Sequence, residues 1–224
     1  MWAWRVLIVD NELHPAAIAN RIPKVARELD IQENEYRDSL DVMSLRGRLT
    51  DLHGIRKMLH DIEAGTYSLV ILDAWYRAIP AGVSENDNAP IALLYNVIDQ
   101  IADRLDCDWV NIHHASKGLQ GEKAITDVGA GAGSQARAAD THIVLRQHEE
   151  DDVIVLDAAV RSFAPVEPMA LRWRFPWWYP ADDVDTSKLK GRLTKGEQRQ
   201  SAKDAQGIEA ITTSLADISH LGFA

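Results

Sequence analysis

The chain has 224 residues, 46% of them hydrophobic and 26% charged, with a formal net charge of -10. That length and apolar content suit one medium domain with an appendage. The acidic balance argues against coating nucleic acid by charge alone, although a local basic patch can work within an acidic whole and the charge also serves solubility.

Met1-Trp2-Ala3-Trp4-Arg5 runs straight into an aliphatic stretch, with no signal-peptide core and cleavage site. No apolar run reaches the roughly 18 residues of a membrane span. The single cysteine, Cys107, excludes a disulfide within the chain. A reducing cytoplasm is the compartment these features predict.

Arg5 to Asp10 is short, aliphatic and followed by an acidic turn, which predicts a buried parallel strand. His14 to Leu29 carries Ile18, Ile22, Val25 and Leu29 at helical spacing, with Pro15 suited to the first turn. Leu40 to Leu45 is a weaker strand candidate. Thr50 to Ala64 reads as an amphipathic helix capped by Thr50 or Asp51 and ended by Gly65. Ser68 to Asp73 is a second apolar strand ending in a carboxylate. Ala89 to Leu105 is a long helix with Ile91, Leu94, Ile98, Ile101 and Leu105 inward.

Trp109 to Ile112 is a third buried strand, ending at His113-His114. A glycine-rich loop follows from Val128 to Ser134, then a short helix from Gln135 to Asp140. His142 to Arg146, Val153 to Val160 and Met169 to Trp173 read as consecutive strands, the first two joined by Glu149-Glu150-Asp151-Asp152. Alternation of strand and helix followed by late strands predicts an α/β domain whose sheet begins parallel and finishes antiparallel. After Pro180 a basic linker (Lys188, Lys190, Arg192, Lys195, Arg199, Lys203) leads to a short amphipathic helix with Ile208, Ile211, Leu215 and Ile218. This divides the chain into a core over 1–180 and an appendage over 181–224.

Chemistry-bearing residues gather at the C-terminal ends of the three parallel strands, the edge where open α/β sheets bind ligands. Asp10, Glu12 and His14 follow the first, Asp73 ends the second, and His113, His114, Ser116 and Lys117 follow the third. Carboxylates and histidines on one edge can hold a divalent metal and a water, as phosphoryl transfer requires. Each also has a plain structural reading: Glu12 as a helix cap, either histidine as a satisfied core residue. A metal-dependent hydrolase built from Asp10, Glu12, His14, Asp73, His113 and His114 is a further reading of the same residues.

Val6 to Glu12, Leu69 to Arg77, Asn86-Asp87-Asn88 and Ile112-His113-His114-Ala115-Ser116-Lys117-Gly118 resemble the ordered motifs of RecA-like P-loop ATPases. The branch is that of the plasmid replicative helicase RepA and the related bacterial AAA-type ATPases. Gly131 to Asp140 is similar to that branch too, and the resemblance spans about Arg5 to Trp178.

It implies a RecA-like sheet with a parallel core, antiparallel C-terminal strands and helices on both faces. It also implies ATP and Mg2+ as ligands, a ring-forming homo-oligomer, and work on DNA. Glu12 resembles the catalytic glutamate that polarises water. Asp73 resembles the Walker B aspartate that holds magnesium through water. His114, or alternatively His113, stands where relatives sense the γ-phosphate, with Lys117 beside it in the nucleotide site. Arg161 resembles an arginine finger, although many relatives carry a Lys two residues earlier, where this chain has Ala159. An ion pair between Arg161 and the acidic turn is the alternative.

The glycine-rich run is not a phosphate cradle, since a P-loop needs G-x-x-x-x-G-K-[ST] and none occurs in these 224 residues. In the family that Walker A loop lies just upstream of the strand begun by Val6, so the core is expected to be N-terminally incomplete and impaired in ATP binding. The glycine-rich loop is where relatives face a central channel and often touch DNA, with Lys123 and Arg137 nearby. Trp173 to Tyr179 invites base stacking, but aromatic side chains on a closing strand also cover sheet edges or subunit interfaces. A RecA-like ATPase core, helicase-like or concerned with DNA maintenance, is the leading expectation. A non-catalytic RecA-like binding module is the alternative from another class.

Overall fold

The computed structural model describes residues 4–115, 124–128 and 133–191. The expected C-terminal helix from Ile208, together with Lys117, Lys123, Gly129 and Gly131, lies outside them.

Four parallel strands form the first sheet: β1 (Val6–Asp10), β2 (Leu40–Ser44), β3 (Leu69–Asp73) and β4 (Asp108–Ile112), in the order β2-β1-β3-β4. Valine, isoleucine and leucine dominate β1 and β3, as the pleated interior of a parallel sheet favours. Leu7, Val9, Val70 and Leu72 point to one face and are almost wholly buried. Two helices cover that face. These are α3 (Leu52–Met58), and α4 (Asn88–Leu105), whose five inward residues are those the spacing predicts. On the opposite face Val110 and Ile112 remain 41% exposed.

α1 (Pro15–Glu28) begins with Pro15 in its first turn, and a short α2 (Glu33–Tyr36) precedes β2. α3 is shorter than the span Thr50 to Ala64. Asp51 caps its start by accepting the Gly54 N–H. Beyond its end the Arg104 guanidinium of α4 donates to the carbonyls of Leu59 and Ile62. The Leu59 carbonyl also accepts the Ile62 N–H, which closes a tight turn there.

Past β4 come a 3-10 turn (Ile125–Asp127) and α5 (Gly133–Ala138), which starts two residues earlier than expected. The late strands are antiparallel: β5 (Thr141–Gln147), β6 (Val153–Val160), β7 (Met169–Arg174) and β8 (Trp177–Pro180). They form a second four-stranded sheet, where one sheet changing direction was expected. β8 is an addition: the tryptophans of the aromatic cluster pair across the β7–β8 hairpin, Trp173 opposite Trp178. Val153 and Ala170 pack with Ala181 and Val184 beyond β8. The second sheet meets α1 through Tyr179, which donates to Glu28, and through Lys24 set 5.5 Å over the Phe175 ring.

Candidate active site at the strand ends

Register brings the candidates together. Asp10 pairs with Asp73, and Asp73 with Ile112, so the last residues of β1, β3 and β4 lie side by side. Asp10 is only 3% exposed. Its Oδ1 accepts the N–H groups of Glu12 at 2.9 Å and Leu13 at 2.7 Å, which folds the chain into a tight turn directly after β1. Asp10 is thereby committed to building the turn that carries Glu12.

Asn11 is fully buried and ties two strand ends together. Its N–H donates to the Asp73 carbonyl at 2.7 Å, its Nδ2 to the Ala74 carbonyl at 3.1 Å, and its Oδ1 accepts the Ala74 N–H at 2.7 Å. A 3-10 turn, Trp75–Arg77, starts immediately afterwards and packs Trp75 into the core. The turn delivers Tyr76 and Arg77 to the site.

The Glu12 carboxylate is held at both oxygens. Tyr76 Oη donates to Oε1 at 3.2 Å, and His114 Nε2 lies 3.2 Å from Oε2. The Tyr76 and His114 rings meet edge to face at 5.4 Å. Behind them Arg77 Nε donates to Tyr76 Oη at 2.8 Å, and the Arg46 guanidinium donates to the Glu12 carbonyl.

Asp73 is half-buried. Burial pushes its carboxyl above the usual range, and the negative charges of Asp10 and Glu12 push it further. That pooled negative charge favours a cation near Asp73, but the described carboxylates do not converge into a ligand set of their own.

Glu12 and His114 thus touch, and Asp73 lies close enough for the charges of both to act on it. His113 does not join them. It is half-buried, and burial lowers its imidazole below the ordinary range while Glu85 acts the other way. His14 sits exposed at the start of α1 without a side-chain capping bond. Arg161 is away from the cluster: it pairs with Asp140 at 3.1 Å and donates to the Arg137 carbonyl. Its ion pair is therefore with Asp140 rather than with the acidic turn. Arg137 lies on α5, and Lys117 and Lys123 fall outside the described residues. Among the described residues no group of three or more His, Cys, Asp or Glu has metal-holding geometry, which leaves the hydrolase reading without a ligand set there.

Arg46 carries no distinctive spacing in the sequence, and Tyr76 and Arg77 close the Leu69 to Arg77 motif without a local sign that they support Glu12. Asn11 offers one signal, a lone amide between two carboxylates at a strand end, but its burial is visible only in the fold.

A family model for the AAA domain matches residues 2–120. The chain belongs to that family. The matched span of the AAA domain takes in β1 to β4 and the whole Glu12–Asp73–His114 cluster. Its fold is RecA-like. It is similar to a solved ATPase domain, with a TM-score of 0.59 at 13% identity over 80% of this chain and 75% of that one. It is similar also to the RadB recombinase, with a TM-score of 0.51 at 15% identity over 84% and 78% of the two chains. No curated protein sequence matches this AAA domain. Among the described residues no helix is long and apolar enough to cross a membrane.

Proposed function

We propose that the chain is the core of a RecA-like, helicase-like or DNA-maintenance NTPase whose nucleotide site lies at the ends of β1, β3 and β4. The observation that carries this reading is the Glu12 carboxylate suspended between Tyr76 and His114 beside Asp73. A carboxylate fixed at both oxygens is suited to orienting a water, and the neighbouring histidine is suited to reading charge on a terminal phosphate. Asp73 is the residue that would hold Mg2+, which when bound neutralises phosphate charge. Arg77 and Tyr76 keep Glu12 in place. Lys117 belongs with the phosphates and Arg161 with a neighbouring subunit's nucleotide, in a ring of identical chains. Arg137 and Lys123 are the residues assigned to DNA.

Because the 224 residues hold no G-x-x-x-x-G-K-[ST] cradle, hydrolysis by this chain alone is very slow or undetectable. The same fact favours a second reading, a binding or assembly module that keeps the shape without the chemistry. Phosphate release with ATP and Mg2+ tests the first statement. Robust magnesium-dependent turnover that disappears in Asp73→Ala would overturn it.

A further inference from the structure

Three arginines stand along the edge where the parallel strands end. Arg46 and Arg48 follow β2, and Arg77 follows β3. One turn sets the first two. The Arg48 N–H donates to the Leu45 carbonyl at 3.0 Å, and Gly47 between the arginines has a φ of 86°. Nothing would crowd a Cβ at Gly47, so the backbone conformation alone calls for glycine there. The turn sends the two side chains to separate carbonyls. Arg46 donates to that of Glu12, and Arg48 donates to that of Ser44 through Nε and Nη2, each at 3.2 Å. Arg77 Nη1 donates to the Asn11 carbonyl at 3.4 Å.

These anchors are neutral. Among the described residues no carboxylate lies within ion-pair distance of any of the three. The Glu12 charge reaches Arg77 only at a distance. At the opposite end of the same sheet Arg5 is paired with Asp41 at 2.6 Å, and Arg37, Arg161 and Arg172 also have carboxylate partners. A carbonyl fixes a guanidinium without cancelling its charge, and it leaves part of the five-donor fork for an anion. Arg46 and Arg48 are exposed, and Arg77 is partly so.

The spacing decides the kind of anion. β2 and β3 flank β1. Adjacent strands are about 4.8 Å apart, so the loops after β2 and β3 lie roughly 10 Å apart. One phosphate is too small to engage both loops, whereas a run of phosphates engages them together. Arg46 and Arg48 also lie across β1 from Asp73, outside the nucleotide site proposed above. Tyr76, 38% exposed beside Arg77, offers an aromatic surface on which an unpaired base can stack.

We propose that Arg46, Arg48 and Arg77 bind the phosphodiester backbone of a single nucleic-acid strand. This surface is distinct from Arg137 and Lys123, and it does not depend on nucleotide binding.

Fluorescence anisotropy of a labelled oligothymidylate with the full chain, without nucleotide, tests it. Saturable binding that weakens as salt rises is expected. Arg46→Gln with Arg48→Gln weakens it about tenfold and lowers the slope of log affinity against log salt by about 1.4, two contacts at about 0.7 each. Arg46→Lys with Arg48→Lys keeps both charges and most of that slope. Arg27→Gln with Arg174→Gln, exposed arginines on α1 and β7, changes little. Equal losses in the two glutamine pairs overturn the proposal, as does the absence of saturable binding. A duplex bound as tightly as the single strand overturns it too.

Arginine footprinting with phenylglyoxal, read by mass spectrometry, needs no variant. The oligonucleotide slows modification of Arg46 and Arg48 several-fold relative to Arg27 and Arg174. Unchanged rates contradict the proposal. Protection by inorganic tripolyphosphate but not by the oligonucleotide makes the ligand a free polyphosphate and likewise removes the nucleic-acid assignment. No nucleotide enters either experiment, so failure here is distinguishable from failure of the nucleotide site.

Discussion

The side-chain amide of Asn11 and the peptide group of Ala74 exchange two hydrogen bonds, of 2.7 and 3.1 Å, in a setting where both residues are fully buried. This exchange couples the turn that carries Glu12 to the strand end that carries Asp73. Asn11→Ala leaves the Ala74 N–H and carbonyl without these partners in the interior. A buried group left unpaired costs about 1–3 kcal/mol, and urea denaturation is expected to show a loss of that order. Asn11→Asp keeps the acceptor but loses the donor and buries a charge, so it does not restore stability.

Asp73 makes the fold pH-sensitive in a stated direction. Burial and the adjacent carboxylates raise its proton affinity in the folded state. Between the ordinary carboxylate range, about 3.9, and the raised value, the folded chain binds the proton more tightly than the unfolded chain does. Stability contributed by this group therefore falls as pH rises through that window. Asp73→Asn removes the penalty. Its melting temperature should exceed that of the parent at neutral pH, with the difference shrinking on acidification. Added Mg2+ should raise the melting temperature of the parent and leave Asp73→Asn unchanged.

His113 behaves in the opposite sense. Burial lowers its imidazole, so the unfolded chain takes up the proton first as pH falls below about 6.5. Stability is complete above that pH and is lost as pH drops toward the folded-state value. His113→Gln should flatten this part of a stability–pH profile.

The core packing fixes the scale against which these changes are read. Ile98 is 4% exposed and belongs to the cluster joining α4 to the parallel sheet. Ile98→Ala should cost about 2–5 kcal/mol, as large-to-small substitutions in well-packed cores do. A loss well under 1 kcal/mol in chemical denaturation would contradict the packing of α4 described above.

Local pattern carried much of this into the sequence. The aliphatic runs of β1 and β3 and the spacing of Ile91 to Leu105 state their partners' side directly, because period and burial are the same fact in a strand or helix. The nearness of Glu12, Asp73 and His114 was legible for a related reason: parallel strands align their C-terminal ends whatever the chain distance. What stayed hidden depends on contacts between elements. The carbonyls past the end of α3 are satisfied by Arg104 on another helix, which no local propensity encodes. The split into two sheets is a matter of which strands pair, and β8 is disguised by an aromatic cluster interrupted by Pro176. The clamp formed by Asn11 and the support of Glu12 by Tyr76 rest on side-chain placement across 63 and 64 positions of sequence.

Isothermal titration of the full chain with a non-hydrolysable ATP analogue in the presence of Mg2+ tests the nucleotide site most directly. Weak but saturable binding, abolished in Asp73→Ala and retained in Arg161→Ala, is the expected result. No saturable binding at any accessible concentration would contradict the nucleotide site and leave the non-catalytic module in its place.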